Sequence, residues 1–167
     1  LECRLAPATF TVLSTSNSGT GSLRQAVSDA NANAGADAIQ FDSAVFDTPR
    51  TIKLTTGELL ITGAVAIDGP AGKVTISGNN VSRIFHIQSA TKGVTAFMSN
   101  MILTAGKAVS GAAIRGENAA NLSLTNCSIQ GNNFTSTAVF LNWADADDSG
   151  GSFSAIDCTF INNNSDD

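Results

Sequence analysis

Apolar and polar positions alternate in short bursts along the second half of the chain. Leu122 and Leu124 alternate with Ser123 and Thr125; after Asn126, Cys127 and Ile129 alternate with Ser128 and Gln130. Period two over four or five residues predicts short strands with one buried face. The asparagine between the bursts breaks the alternation. Asn tolerates the left-handed backbone region, so one residue can turn a strand into the next. The phrase "LTNCSIQGNN" (Leu124–Asn133) returns as "AIDCTFINNN" (Ala155–Asn164), with Asp157 in the bend and Asn163–Asn164 in the place of Asn132–Asn133. An upstream copy, Asn100-Met101-Ile102-Leu103-Thr104, puts the bends 26 and 31 residues apart.

A strand–bend–strand unit cannot bury its apolar stripe alone. Stacking successive units in parallel buries it and sets like residues above like. The expected fold class is therefore all-β, a parallel β-helix. Three strand positions recur. The first reads Thr51–Leu54, Ile84–Ile87, Ala112–Arg115 and Ala138–Leu141; the second Val65–Ile67, Val94–Met98, Leu122–Leu124 and Phe153–Ala155; the third Val74–Ile76, Met101–Leu103, Cys127–Ile129 and Cys158–Phe160. That layout gives about four coils over residues 51–167, with Phe85, Ile87, Leu124, Ile129 and Phe160 pointing into the core.

Residues 1–50 follow a different rhythm. Thr9–Leu13 reads as a strand, Ser16–Gly21 as a loop and Ala38–Asp42 as a strand. Between them, Leu23, Ala26, Val27 and Ala30 fall at i, i+3, i+4, i+7, which predicts one helix over about residues 22–33. Ser22 and Gln25 have capping-box spacing, and Gly35 is placed to end the helix. A strand–helix–strand module ahead of a solenoid suits an N-terminal cap, because the first coil otherwise exposes a strand edge and an open core. A small separate domain is the alternative.

Composition narrows the function classes. Charged residues are only 14% of the chain, below the usual quarter, and Gly and Asn number 15 each, as a fold made of bends requires. A net charge of −5 lacks the basic footprint that nucleic acid demands. No apolar run approaches the ~18 residues of a membrane-spanning helix, and no basic, signal-like leader opens the chain.

The stretch "TFTVLSTSNSGTGSLRQAVSDANANAGADAIQFD" (Thr9–Asp42), followed by "TIKLTTGELLI", "VAIDGPAGKVTISGNN" and "SRIFHI", resembles the opening of large bacterial surface proteins built on a right-handed parallel β-helix, of the polymorphic outer-membrane-protein-like and adhesin-like kind. The "GSLRQA" helix and the "IDGP…VTISGNN" run carry most of that likeness. The resemblance implies export, a secreted or cell-surface location, and a structural or adhesive role without a fixed catalytic set. Members are usually much longer, so further coils are expected after "FINNNSDD", with any membrane attachment in parts outside this chain.

Candidate chemistry is sparse. In the four-coil layout Lys53, His86 and Arg115 point outward from corresponding strands, a cationic ladder able to grip an acidic polysaccharide. The solvated-surface alternative stands beside it, because no carboxylate falls on those strands. "DADDSGG" gathers Asp145, Asp147 and Asp148, which suggests a Ca²⁺ loop, but the distal ligands at fixed spacing are missing. No other cofactor is indicated. Of the three cysteines, Cys127 and Cys158 should stack one coil apart, either as two buried thiols or as a strained disulfide. Two functions remain: a non-enzymatic structural or adhesive segment that meets host, cell-surface or extracellular polysaccharide, and a carbohydrate-active β-helix acting as lyase, hydrolase or acidic-polysaccharide binder.

Overall fold

The computed structural model describes residues 6–88, 93–141 and 150–165. Strand β1 (Thr9–Val12) leads to helix α1 (Leu23–Ala32), and about five turns of parallel solenoid follow. The first turn is β2 (Asp37–Phe41), β3 (Thr51–Lys53) and β4 (Leu59–Ile61); the second is β5 (Val65–Asp68), β6 (Val74–Ser77) and β7 (Phe85–Ile87). The third is β8 (Thr95–Ser99), β9 (Met101–Thr104) and β10 (Lys107–Gly116). The fourth is β11 (Asn121–Thr125), β12 (Ser128–Gln130) and β13 (Asn133–Leu141), and the fifth is β14 (Phe153–Ile156), β15 (Thr159–Ile161) and β16 (Asn164–Ser165).

Each turn contributes one strand to each of three parallel sheets. Their orders are β1-β2-β5-β8-β11-β14, β3-β6-β9-β12-β15 and β4-β7-β10-β13-β16. Strand β2 pairs in register with β5, Ile39 opposite Ile67, so the stretch read as cap also supplies a strand of the first turn. That is why there are about five turns where the sequence layout counts four.

The corners work as the pattern predicts. Asn100, Asn126 and Asp157 sit between the first and second sheets with φ of 56°, 52° and 54°. A second left-handed column, Ala105, Gly131 and Asn162, closes the second sheet at φ of 51°, 59° and 50°. The Asn pair after this corner has its own task. Asn132 is buried; its Oδ1 accepts from the Gly106 amide at 2.8 Å, and its Nδ2 donates to the carbonyls of Leu103 at 3.0 Å and Gln130 at 3.2 Å. Nδ2 also donates to Asn163 Oδ1 at 2.9 Å, and Asn163 Nδ2 in turn donates to the Ile129 carbonyl. The two asparagines thus repeat one polar step in successive turns, satisfying backbone groups that the corner leaves without ladder partners.

Inside, the apolar positions form columns. Ile67, Met98 and Leu124 stack in the first sheet, Ile76, Leu103 and Ile129 in the second, and Ile61 and Ile87 in the third, all essentially buried. Phe85, Ile87, Leu124 and Ile129 take the buried positions expected of them. Phe160 does not: it pairs with Ile129 in register but is 49% exposed. Strand β15 is the last of its sheet, and among the described residues nothing packs over it as α1 packs over β4 at the other end.

Helix α1 packs its Leu23, Ala26, Val27 and Ala30 into the same core, against β1, β2 and β4. Ser22 Oγ accepts from the Gln25 amide at 3.1 Å, but the Gln25 side chain bonds Asp29 instead of closing the box. Asn33 rather than Gly35 ends the helix. Its Nδ2 donates to Asp37 Oδ1 at 2.7 Å, an oxygen that also accepts from the Ala8 amide at 2.8 Å. Buried Asp37 thereby joins helix, N-terminal segment and first turn.

Candidate functional site

The third sheet carries the densest chemistry. Its outward row, read up the stack, is Leu60, His86, Arg115 and Phe140. Two of the three residues of the expected ladder, His86 and Arg115, are therefore direct neighbours. Lys53 is not among them. Strand β3 pairs with β6, setting Lys53 opposite Ser77 in the second sheet, and Leu60 holds the place assigned to Lys53. Both "TIKL" and "ELLI" alternate, and period two alone does not say which sheet a strand joins.

Carboxylates enter this row from positions that flank the strands. Glu58, one residue before β4, places Oε1 2.8 Å from His86 Nδ1 and Oε2 2.6 Å from Arg83 Nη1. Glu117, one residue after β10, places Oε1 2.6 Å from Arg115 Nη2 and Oε2 3.5 Å from His86 Nε2. Arg115 also lies 5.6 Å from the Phe140 ring centroid, within cation–π reach, and its Nη1 donates to Ser110 Oγ at 3.2 Å. Arg83 clamps the irregular part of β10, donating to the carbonyls of Gly111 at 2.9 Å and Ser110 at 3.1 Å. Gly111 takes φ of 62° there, and an added side chain would strike the Ile114 carbonyl.

Helix α1 fixes the base of this cluster. Arg24 donates to the backbone carbonyls of Glu58 at 2.7 Å and Gly57 at 2.6 Å, and to Asn17. Burial lowers the Arg24 guanidinium from its usual range, and three carbonyl acceptors offset the desolvation. Strand β4, the last of the first turn, is thus held where the Glu58 carboxylate meets the second turn.

Glu58, Arg83, His86, Arg115 and Glu117 span three turns and balance two carboxylates against two guanidinium groups and one imidazole. A balanced cluster projects little field, unlike a row of cations facing an acidic polymer. Both ring nitrogens of His86 face carboxylates, on opposite sides of the ring. A general base needs a nitrogen turned toward the proton it removes, and a metal needs ligands converging on one point. Among the described residues no group of three or more His, Cys, Asp or Glu is placed to hold a metal ion. Asp145, Asp147 and Asp148, the suggested Ca²⁺ loop, lie outside the described residues.

Cys127 and Cys158 stack one turn apart, next to the Ser128–Thr159 pair, and neither is in a disulfide. Cys127 is buried, and burial pushes its thiol above the usual range. Among the described residues no helix is long and apolar enough to cross a membrane.

No protein-family model matches the chain, and no curated protein does.

Proposed function

We propose that the chain is a non-enzymatic structural or adhesive segment of a secreted or cell-surface β-solenoid protein, of the polymorphic outer-membrane-protein-like and adhesin-like kind that the N-terminal sequence resembles. The winding is taken as right-handed, the sense that strand chirality favours for parallel crossover connections. One observation supports the reading above others: five charged or titratable side chains along the third sheet, Glu58, Arg83, His86, Arg115 and Glu117, are engaged with each other, tying turn to turn. Such use of charge suits a rod whose task is to hold shape and present surface.

Two measurements test it. Surface biotinylation of intact producing cells should label the protein, and beads coated with it should adhere to cells or extracellular matrix. Incubation with uronate polymers, with and without Ca²⁺, should leave absorbance at 235 nm unchanged. A protein confined to the cell interior, or a Ca²⁺-dependent rise at 235 nm, would overturn the proposal and favour a carbohydrate-active solenoid.

A further inference from the structure

The first sheet presents a different surface. None of its six strands contains Lys or Arg. In the middle of this face stands Phe97, 54% exposed, between Ala66 on β5 and Ser123 on β11. Small neighbours leave the ring proud of the sheet with a hollow on either side. One hollow, about 300 Å³, is bordered by Asp68, Ser99, Ser123 and Thr125. The other, about 460 Å³, is bordered by Ala38, Ala64, Ala66 and Thr95. Asp68 Oδ1 accepts from Ser99 Oγ and from Asn100 Nδ2, which fixes the carboxylate beside the ring.

We propose that Phe97 is the stacking platform of a binding site for a neutral glycan. A pyranose ring has one face of C–H bonds and a rim of hydroxyls. The C–H face suits the electron-rich face of an aromatic ring, and the rim requires short polar side chains around it. Phe97 supplies the first; Asp68, Ser99, Ser123 and Thr125 supply the second. Charge selects the class of sugar. A fixed carboxylate accepts hydrogen bonds from neutral hydroxyls and repels a uronate, and strands without Lys or Arg, on a chain of net charge −5, offer an acidic polymer no cation of their own to offset that repulsion. The occupant is therefore a neutral oligosaccharide, not the acidic one that the cationic ladder suggested. The site rests on the adhesive reading for its use, and it names that reading's ligand.

The probes are neutral hexasaccharides of glucose, mannose, galactose or xylose, with hexagalacturonate as the acidic comparison, followed by calorimetry and by amide shifts in NMR. At least one neutral probe should bind and move the amides of residues 66, 97, 99 and 123. Phe97→Ala should weaken it by about tenfold or more with an unchanged melting curve, and Phe97→Trp should retain it. The proposal is overturned if no neutral probe binds, if Phe97→Ala binds as the parent does, or if hexagalacturonate binds as tightly. Self-association lost in Phe97→Ala, without glycan binding, assigns the face to contacts between copies and also overturns it. Bead adhesion separates the two ideas: adhesion that survives Phe97→Ala removes the platform and leaves the adhesive role, whereas no adhesion by the parent removes the role itself.

Discussion

Asn132→Ala removes one side chain from the corner after the second sheet. Four hydrogen bonds vanish: from the Gly106 amide, and to the carbonyls of Leu103 and Gln130 and the side chain of Asn163. The carbonyls each keep a second lone pair, so their loss is modest. The Gly106 amide differs, because it sits in a buried residue and has no other described acceptor. An orphaned buried N–H costs about 1–3 kcal/mol, and the remaining bonds contribute about 1 kcal/mol together, for a total of about 2–4 kcal/mol. For a chain of this length that is a fall in Tm of about 5–15 °C. Denaturant unfolding measures the global change, and hydrogen exchange reads the corner directly: the Gly106 amide should lose at least about thirtyfold protection. Asn132→Asp keeps the acceptor for Gly106 but sets a carboxylate against the Leu103 carbonyl and Asn163 Oδ1. It should preserve Gly106 protection better than Ala while still lowering stability. A loss under about 0.5 kcal/mol in Asn132→Ala, with Gly106 still protected, would refute the claim that the side chain holds this corner.

Other perturbations reach other parts of the molecule. Glu58→Gln takes the charged partner from Arg83 and His86 at once; with Glu58 about one-third exposed, the expected cost is about 1–2 kcal/mol in urea unfolding, accompanied by a shift in the resonances of the lone histidine. Unchanged stability and resonances would mean the cluster ties nothing. Cys127 should react with a thiol reagent at pH 8 much more slowly than half-buried Cys158, as peptide mapping would show. The raised thiol also sets a sign: the folded protein keeps its proton where the unfolded chain loses it, so this contribution is intact below the unfolded thiol's range and declines as pH rises through alkaline values. Stability that rises over that interval in the parent relative to Cys127→Ala would contradict it. In a dilute solution of the 167-residue chain, amides of residues 153–161 should exchange faster than those of residues 122–130, because Phe153, Ile156, Phe160 and Ile161 are all more than 40% exposed. Equal protection without self-association would count against that.

The parts of this fold that were legible in the sequence are those written as local periodicity. Asn100, Asn126 and Asp157 announce left-handed corners because each interrupts two alternating runs, and all three adopt that conformation. The columns of the first and second sheets follow once those corners are aligned. Lys53 was set in the wrong column because residues 51–61 hold two short apolar runs and no asparagine corner to index them. Glu58 and Glu117 stayed hidden for a related reason: each lies just outside a strand and reads as a loop residue. Glu117 was recoverable, since two residues after Arg115 is the same side of an extended chain. Glu58 was not, until "ELLI" replaced "TIKL" in the row. Asn132 and Asn163 were seen as an echo, but the backbone groups they satisfy become visible only when turns are stacked. Phe97 carries no sequence signal of exposure, being one aromatic in an apolar burst. Its outward direction follows from Ala96 and Met98 pointing inward.

The sheets pair each turn with the turn before and the turn after it, while successive corners lie 26 and 31 residues apart. Such a chain, held at its C-terminal end and pulled along the solenoid axis, meets resistance from one turn at a time. Each release frees a length of roughly 90–110 Å of extended polypeptide in place of a single inter-strand step of about 4.8 Å. Under load the molecule becomes an extensible tether that yields in steps, dissipating work at every step while the turns nearest α1 remain intact. In the adhesive role proposed above, the stacked corners would set both how far the chain stretches and how many times it yields before it lets go.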